Sequence, residues 1–393
     1  MTAVSPSRDL TLCHHDRMRW RLLWGPLAAL GLAGCAQPGA GPATGGFEPG
    51  YYWQSARGHL SMLWAARPVG DWLADATTPA ALRARLQLAQ RLRDYAVREL
   101  ALPDNPSYRR YADLQRNAVV WNVVAAPPLS LRLQTWCFPV LGCVGYRGFF
   151  DRDDALALAQ QLRAQGLDVT VYGVPAYSTL GRLPGAYFAD PLLNTFIDWP
   201  EGDLARLLFH ELAHQVAYAN DDTGFNESFA TAVERLGSAR WLASGEAGAG
   251  AAEVQARFDA QRALFRELVA RHRAELQALY RSPAADADKL LGKQAVLQRL
   301  RQAHEALKAQ HPELGNRYDG WVTEANNASF GVQLAYQGRV AAFERLFERE
   351  GHDFARFYAE VKRLAALPKL QRSEALEALV PADRQARVAD LPK

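Results

Sequence analysis

The sequence predicts an α+β fold with a small mixed sheet and a predominantly helical remainder. Residues 118–180 are rich in β-branched and aromatic residues broken by proline and glycine, which is typical of short strands and turns. The second half of the chain repeats apolar residues every three to four positions, a helical period. Within that half, residues 251–281 and 286–310 predict a long antiparallel helix pair.

Length and composition are those of a globular protein. The chain has 393 residues, of which 49% are hydrophobic and 10% aromatic, so it can bury a substantial core without a disulfide scaffold. The formal net charge is only +3. Nothing in this balance indicates nucleic acid as a partner.

Residues 1–34 have the three-part plan of an export signal, with a basic stretch, a short apolar run and then small residues. The segment before Met18 is a poor basic leader, which favours Met18 over Met1 as the start. The letters LAGC at the end of the run resemble the bacterial lipobox, whose cysteine is acylated. We therefore expect a lipid on Cys35 and a flexible Gly-rich tether over residues 35–50. A buried N-terminal helix is the alternative, which the Gly- and Pro-containing sequence disfavours.

Two cysteines remain in the predicted mature chain, Cys137 and Cys143. They lie six residues apart in a stretch that contains proline and glycine, so a disulfide between them would close a small loop. Export to an oxidising compartment favours this pairing. Two buried free thiols or half of a metal site are the alternatives.

The candidate chemistry lies in "LLFHELAHQVAYANDDTGFNESFATAVERLG", residues 207–237. His210 and His214 are four apart on a predicted helix, so both imidazoles share one face and can reach a single ion. Glu211 would lie beside that ion without binding it. This is the H-E-x-x-H pattern, in which the glutamate takes a proton from the attacking water. Because the pattern also arises by coincidence on helix surfaces, further ligands must decide.

The same stretch offers a third ligand. A turn at Gly224 predicts a second helix, with Asn226 before it and Glu227 in its first turn. A hairpin of the two helices would bring Glu227 to the histidines and leave a fourth tetrahedral position for water. A carboxylate that only interacts with the helix dipole is the alternative. The first helix is expected to begin at an N-cap residue, Asp198.

"HELAHQ" followed by "NESFATAVERLG" resembles the gluzincin metallopeptidases, above all the aminopeptidase N type, which carry H-E-L-x-H and then N-E-x-F-A-x-x-x-E. The resemblance implies a zincin-like metallopeptidase domain over residues 51–393. It implies one Zn²⁺ ion held by His210, His214 and Glu227, with Glu211 as the general base.

The same resemblance gives Glu234, seven residues after Glu227, the role of a partner to a ligand histidine. A solvated or ion-paired glutamate is the alternative.

This sequence departs from the aminopeptidase N pattern in two ways. Only 12 residues separate His214 from Glu227, a shorter spacer than usual, so the connection must be tight. The Gly-x-Met-x-Asn strand is missing, and "PAYSTLGRL" stands where an edge strand should precede the zinc helix. With its lipobox, "CFPVLGCVGYRGFF" and "AYSTLG", the mature chain is instead similar to a bacterial lipoprotein family labelled as aminopeptidases.

Further polar residues are candidates for the cleft. Tyr177 and Tyr336 could donate a hydrogen bond to the tetrahedral intermediate, although tyrosines are more often core or surface aromatics. Asn326 and Asn327 lie in an otherwise apolar helical pattern, where they could line the cleft or cap and link helices.

These features predict a zinc-dependent peptidase, acting as an aminopeptidase on peptide substrates by metal-activated water. We expect it to be lipid-anchored in the bacterial cell envelope and to face the periplasm. An endopeptidase or cell-wall amidase on the same zinc site is one alternative. A non-enzymatic envelope lipoprotein with structural zinc is the other.

Overall fold

The computed structural model describes residues 49–138, 142–178, 188–220, 222–335 and 339–379. The helices are α1 (Pro49–Ala65), α2 (Val69–Ala74), α3 (Ala80–Leu100), α4 (Arg152–Ala164), α5 (Glu201–His214), α6 (Thr223–Ala243), α7 (Ala251–Arg281), α8 (Asp286–Gln310), α9 (Asp319–Thr323), α10 (Asn327–Ala335), α11 (Val340–Arg349), α12 (Phe354–Ala365) and α13 (Lys369–Glu377). The strands are β1 (Arg67–Pro68), β2 (Arg110–Ala112), β3 (Val120–Ala126), β4 (Trp136–Phe138), β5 (Gly142–Val144), β6 (Arg147–Phe149), β7 (Asp168–Val174) and β8 (Leu192–Leu193). This is a mostly helical α+β architecture.

Some predicted features lie outside the described residues, among them the export signal, Cys35 and Tyr336. Within the described ranges, no helix is both long and apolar enough to cross a bilayer.

The strands form three small sheets of mixed orientation. β2 pairs antiparallel with β1 and parallel with β8, while β3 pairs antiparallel with both β6 and β7. β4 and β5 form a hairpin in which Cys137 lies opposite Cys143, and the two form a disulfide. β7 is an edge strand of its sheet. Residues 175–178 of the segment expected to supply an edge strand form none, and 179–187 lie outside the described ranges.

The sheet around β3 is covered on both faces. Val123 and Ala125 belong to the core shared with α4, and Val124 and Ala126 pack with Ala328 of α10. Successive side chains of a strand point to opposite faces, so this near-continuous apolar run suits a strand buried on both sides. The sheet therefore serves as a support between two helices.

α5 lies in the largest core of the described chain. Leu204, Leu208 and Leu212 recur every four positions and are fully buried in it, together with residues of α3 and α6. Full burial of a leucine stabilises the fold by about 2 kcal/mol. The apolar face of α5 is thereby fixed, and the neighbouring face carries the two histidines.

The N-cap predicted at Asp198 is wrong. α5 begins at Glu201 with Pro200 at the N-cap, and Asp198 is exposed. A residue before a proline avoids the helical conformation, so the helix cannot begin before Pro200. The carboxylate of Glu201 instead accepts hydrogen bonds from Trp241 Nε1, at 2.9 Å, and from the backbone N–H of Gly248.

α6 also begins earlier than its sequence suggests. Its N-cap is Asp222, whose Oδ1 accepts from the backbone N–H of Phe225 at 3.0 Å, so Gly224 and Asn226 lie inside the helix. Glu227 is in the second turn rather than the first. In the sequence, Gly224 indicates a turn. In the structure, the side-chain cap at Asp222, two residues earlier, begins the helix.

Asn226 fixes the connection between α5 and α6. Its Oδ1 accepts from the backbone N–H of Ala219 at 2.7 Å, and its Nδ2 donates to the Ala219 carbonyl at 2.8 Å. The side chain is 1% exposed. One buried side-chain amide thus accepts one hydrogen bond and donates another, and the pair holds the connection against α6.

Gly237 lets α6 approach its neighbours closely. A Cβ at this position would lie 2.8 Å from Leu100 Cδ1 of α3 and 3.0 Å from Phe209 Cδ2 of α5. A larger residue would require the Leu100 or Phe209 side chain to shift.

An ion pair ties α5 to the α7–α8 hairpin. Arg206 donates to both carboxylate oxygens of Asp259 at 2.6 and 2.8 Å, and Arg262 donates to the same carboxylate at 2.7 Å. Although partial burial raises the pKa of Asp259, the two guanidinium groups lower it to about 2. The α7–α8 hairpin has its own core, formed by Leu131, Phe265, Leu268, Val269, Leu276, Val296, Leu300, Val322, Ala325 and Phe330.

A buried ion pair links α6 to the C-terminal helices. Asp222 Oδ2 accepts from Arg339 at 2.9 Å and from Arg372 at 3.2 Å, and Arg372 is 3% exposed. Burial alone raises the pKa of Asp222, but its cap hydrogen bond and Arg339 hold the pKa below the ordinary value.

We predict that Asp222→Ala lowers the free energy of unfolding by about 3 kcal/mol, because it removes a helix cap and leaves a buried guanidinium without its carboxylate. Denaturant unfolding measures this. The matched control is Asp353→Ala, which removes the exposed N-cap of α12 and should cost about 1 kcal/mol. Equal losses in the two variants would contradict the structural role of the ion pair.

Candidate metal centre

Two helices place three donor side chains together. His210 and His214 lie one turn apart on α5, and Glu227 faces them from α6. The Nε2 atoms of His210 and His214 are 3.2 Å apart. One carboxylate oxygen of Glu227 lies 3.4 Å from His210 Nε2, and the other lies 3.7 Å from His214 Nε2. One donor atom from each residue lies within 4.8 Å of the others.

These separations fit a metal ion. Donors about 2.0–2.1 Å from a tetrahedral ion lie about 3.3 Å from one another, close to the distances observed. Two imidazole nitrogens and a carboxylate are also a donor set that zinc prefers. The residues present therefore suit a divalent cation of this class.

Glu234 lies behind His210. Its Oε2 is 2.9 Å from His210 Nδ1, so the imidazole Nδ1–H can donate to this carboxylate and leave Nε2 free to bind. Burial lowers the pKa of His210, but Glu227 and Glu234 together raise it well above the ordinary value. The carboxylate thus fixes both the orientation and the tautomer of the ring.

His214 has the opposite electrostatics. It is 6% exposed, and its Nδ1 has no hydrogen-bond partner in the described part of the chain. Burial and the neighbouring His210 lower the pKa of His214 to about 4. His214 is therefore neutral near pH 7, the form in which an imidazole binds a metal.

Glu211 lies beside the three donors in a buried polar cluster. Burial raises its pKa to about 7, the charges of Glu227 and Asp190 act in the same direction, and His210 and a hydrogen bond from Ser178 oppose them. Ser178 Oγ also lies 2.9 Å from Asp190 Oδ2, and its single proton is donated to one of the two carboxylates at a time. A carboxyl with a pKa near 7 can both accept and return a proton at neutral pH.

Sequence reasoning missed Ser178 and Asp190, and it also missed Tyr108. Tyr108 is 2% exposed in the left-handed region, at φ 64°, and its backbone N–H donates to the Asp190 carbonyl at 2.7 Å. Burial raises the pKa of its phenol well above the ordinary value, and Glu211 and Asp190 raise it further. The three residues come from segments with no metal-site spacing, so only folding brings them to Glu211.

Tyr177 packs among aromatic rings. Its ring packs against His59 at 5.4 Å and Phe150 at 5.3 Å between ring centroids. Asn326 caps α10 by accepting from the backbone N–H of Ala328. The Asn327 side chain links α10 to residues 127 and 128 by donating to their carbonyls.

Tyr146 is a tyrosine that the sequence did not single out. It lies in the turn between β5 and β6, and 37% of it is exposed. Burial of the phenol and the charge of Glu227 raise its pKa. Because the charge of Glu227 acts on this phenol, Tyr146 lies in the neighbourhood of the donor set.

A second histidine–acid cluster in the described ranges contains His304, Glu305 and Asp319. His304 Nε2 is 2.9 Å from Asp319 Oδ1, and Lys308 Nζ is 3.1 Å from both Asp319 oxygens. The ammonium group already supplies positive charge to the carboxylate, which distinguishes this cluster from the first.

Comparison with known proteins identifies the family of this chain. A family model described as "Putative aminopeptidase" matches residues 50–376, most of the chain and all of the elements that form the centre. No curated protein and no solved structure matches the chain. Membership of such a family supports a peptidase-like function. The chain belongs to the putative aminopeptidase family.

Proposed function

We propose that the protein is a zinc-dependent peptidase that acts as an aminopeptidase. The observation that supports this best is the convergence of His210, His214 and Glu227 with Glu211 beside them. Family membership supports the peptidase class. The donor set and the half-buried Glu211 beside it support the metallopeptidase type.

His210, His214 and Glu227 would hold the zinc, which when bound polarises the scissile carbonyl and lowers the pKa of water. Glu234 keeps the His210 ring oriented through Nδ1. His214 binds in its neutral form because burial suppresses its protonation. The core behind α5 keeps both rings on one face.

Glu211 takes the proton of the attacking water as general base. It then delivers that proton to the leaving amine. Ser178 hydrogen-bonds to the Glu211 carboxylate and also contacts Asp190, so it helps to orient Glu211. This contact fixes the direction in which the carboxylate presents its free oxygen.

The developing oxyanion needs a hydrogen-bond donor. Among the described tyrosines, we assign this role to Tyr146, because its phenol interacts electrostatically with Glu227 whereas Tyr177 packs against His59 and Phe150. The role predicted for Tyr336 stays a prediction.

We expect Glu211→Gln to keep zinc but to lose about 10³-fold in kcat, because the amide cannot accept the proton. His214→Ala should lose both zinc and activity. Elemental analysis should find one zinc per chain in the wild type and in Glu211→Gln. Zinc at 100 times its Kd should raise their free energy of unfolding by about 2.7 kcal/mol, and should not stabilise His214→Ala.

The matched control for metal binding is His304→Ala, which alters the second histidine–acid cluster and should retain one zinc. Full activity of Glu211→Gln would refute the proposed base. Zinc binding with no peptide hydrolysis by the wild type would instead support a structural metal.

Ser178→Ala tests how Glu211 is held. Glu211 must be ionised to accept a proton, and the Ser178 hydrogen bond favours the ionised form by lowering its pKa. Removing this bond should raise the pKa of Glu211 and move the acidic limb of the kcat/KM profile to higher pH. A bound cation would lower the pKa of Glu211 in both the wild type and Ser178→Ala. The pKa should therefore still be higher in the variant. Ser282→Ala, which removes a hydroxyl bonded to the Leu279 carbonyl at the end of α7, should leave the profile unchanged.

Aminopeptidase specificity requires a free α-amino group on the substrate. We expect amino-acid p-nitroanilides to be hydrolysed with a kcat/KM about 100-fold above that of their N-acetylated counterparts, because a site built for a charged amine rejects the blocked form. Comparable rates on both, or internal cleavage of blocked peptides, would indicate an endopeptidase.

A further inference from the structure

α1 presents two large aromatic side chains to solvent. Trp53 and Trp64 are each 71% exposed, and they are the only tryptophans in the described ranges with more than a third of their surface accessible. They lie eleven residues apart, which at 3.6 residues per turn places them about 20° apart around the helix and about 16 Å apart along it. The two rings therefore form one stripe.

The rest of the helix agrees with an outward-facing apolar stripe. Arg57 and the half-buried Leu60 lie between the tryptophans on the same side of α1, while Met62 is buried on the opposite side. The helix contains no acidic residue. Exposure of a tryptophan side chain to water is unfavourable, because each indole ring has a large apolar area.

We propose that this stripe rests on the surface of a phospholipid bilayer, with both indole rings at the level of the lipid headgroups. Indole is apolar with one N–H donor, and tryptophan is therefore enriched at membrane–water interfaces. Arg57 between the rings would face the phosphate groups. The inference goes beyond the peptidase chemistry and rests on the predicted acylation of Cys35.

The length of chain before α1 favours the bilayer as the occupant. Only thirteen residues, 36–48, separate Cys35 from Pro49. Fully extended, this segment spans at most about 50 Å, and a Gly-rich chain of this length has a root-mean-square span of about 20 Å. An acylated Cys35 would thus keep α1, more than any later element, close to the membrane.

Docking through α1 would also orient the cleft. At the N-terminal end of α1, Tyr51 packs on Phe149 of β6 at 5.6 Å between ring centroids, and Gln54 accepts from the backbone N–H of Phe150. β6 begins directly after Tyr146, on whose phenol the charge of Glu227 acts. The proposed membrane-facing helix therefore packs against the segment that follows Tyr146.

The test uses the full-length chain purified from bacterial membranes, with the acylated Cys35 N-terminus verified by mass spectrometry. The protein is reconstituted into vesicles of phosphatidylcholine with phosphatidylglycerol, with or without brominated acyl chains. Bromine quenches only tryptophans that contact the lipid. We expect quenching of the wild-type emission, and loss of more than half of that quenching in the Trp53→Phe/Trp64→Phe double variant.

The matched control is Trp321→Phe, which removes a half-buried indole packed between Phe265 and Phe330 and should keep the quenching. Hydrolysis of a soluble substrate should be unchanged in the double variant, so a failure of the peptidase proposal would be seen separately. Unchanged quenching in the double variant overturns the inference. So does an unacylated N-terminus at another position, or a wild-type dimer in sedimentation that the double variant disperses.

Discussion

The closure of the α5–α6 hairpin is the constraint on which the candidate centre depends. Donor atoms that are to share one ion must lie about 3.3 Å apart, and here they come from two helices joined by a short connection. Asn226 anchors that connection at Ala219, and Gly237 allows the helices to pack at close range. The separation of the donor atoms is thus set by residues that are not themselves candidate metal ligands.

The electrostatics of the centre follow from the same packing. Burial raises the pKa of Glu211 to about 7 and lowers that of His214 to about 4, while paired carboxylates raise that of His210. Burying so many titratable groups costs stability unless they are paired, and removing one partner leaves its neighbour uncompensated. The large apolar core behind α5 stabilises the fold enough to hold them. The proposed cation would balance the remaining charge.

The polar surroundings of Glu211 come from distant parts of the chain. Tyr108 precedes β2, Ser178 follows β7, and Asp190 precedes β8. The parallel pairing of β2 with β8 brings the first and last of these segments together. In the order of the chain, the disulfide of the β4–β5 hairpin comes just before the turn that carries Tyr146. The small sheets thus contribute residues to the site, although helices dominate the structure.

By itself, the sequence determined what depends on local periodicity and fixed spacing. The α7 and α8 helices occupy the segments where the apolar period predicts them, and His210 and His214 share a face because they are four residues apart on a helix. The sequence misplaced the starts of α5 and α6, where Pro200 and the Asp222 cap compete with weaker signals. Tertiary structure alone decided how Ser178, Asp190 and Tyr146 meet the centre. Such contacts join residues far apart in the chain, and their geometry depends on packing that no local pattern records.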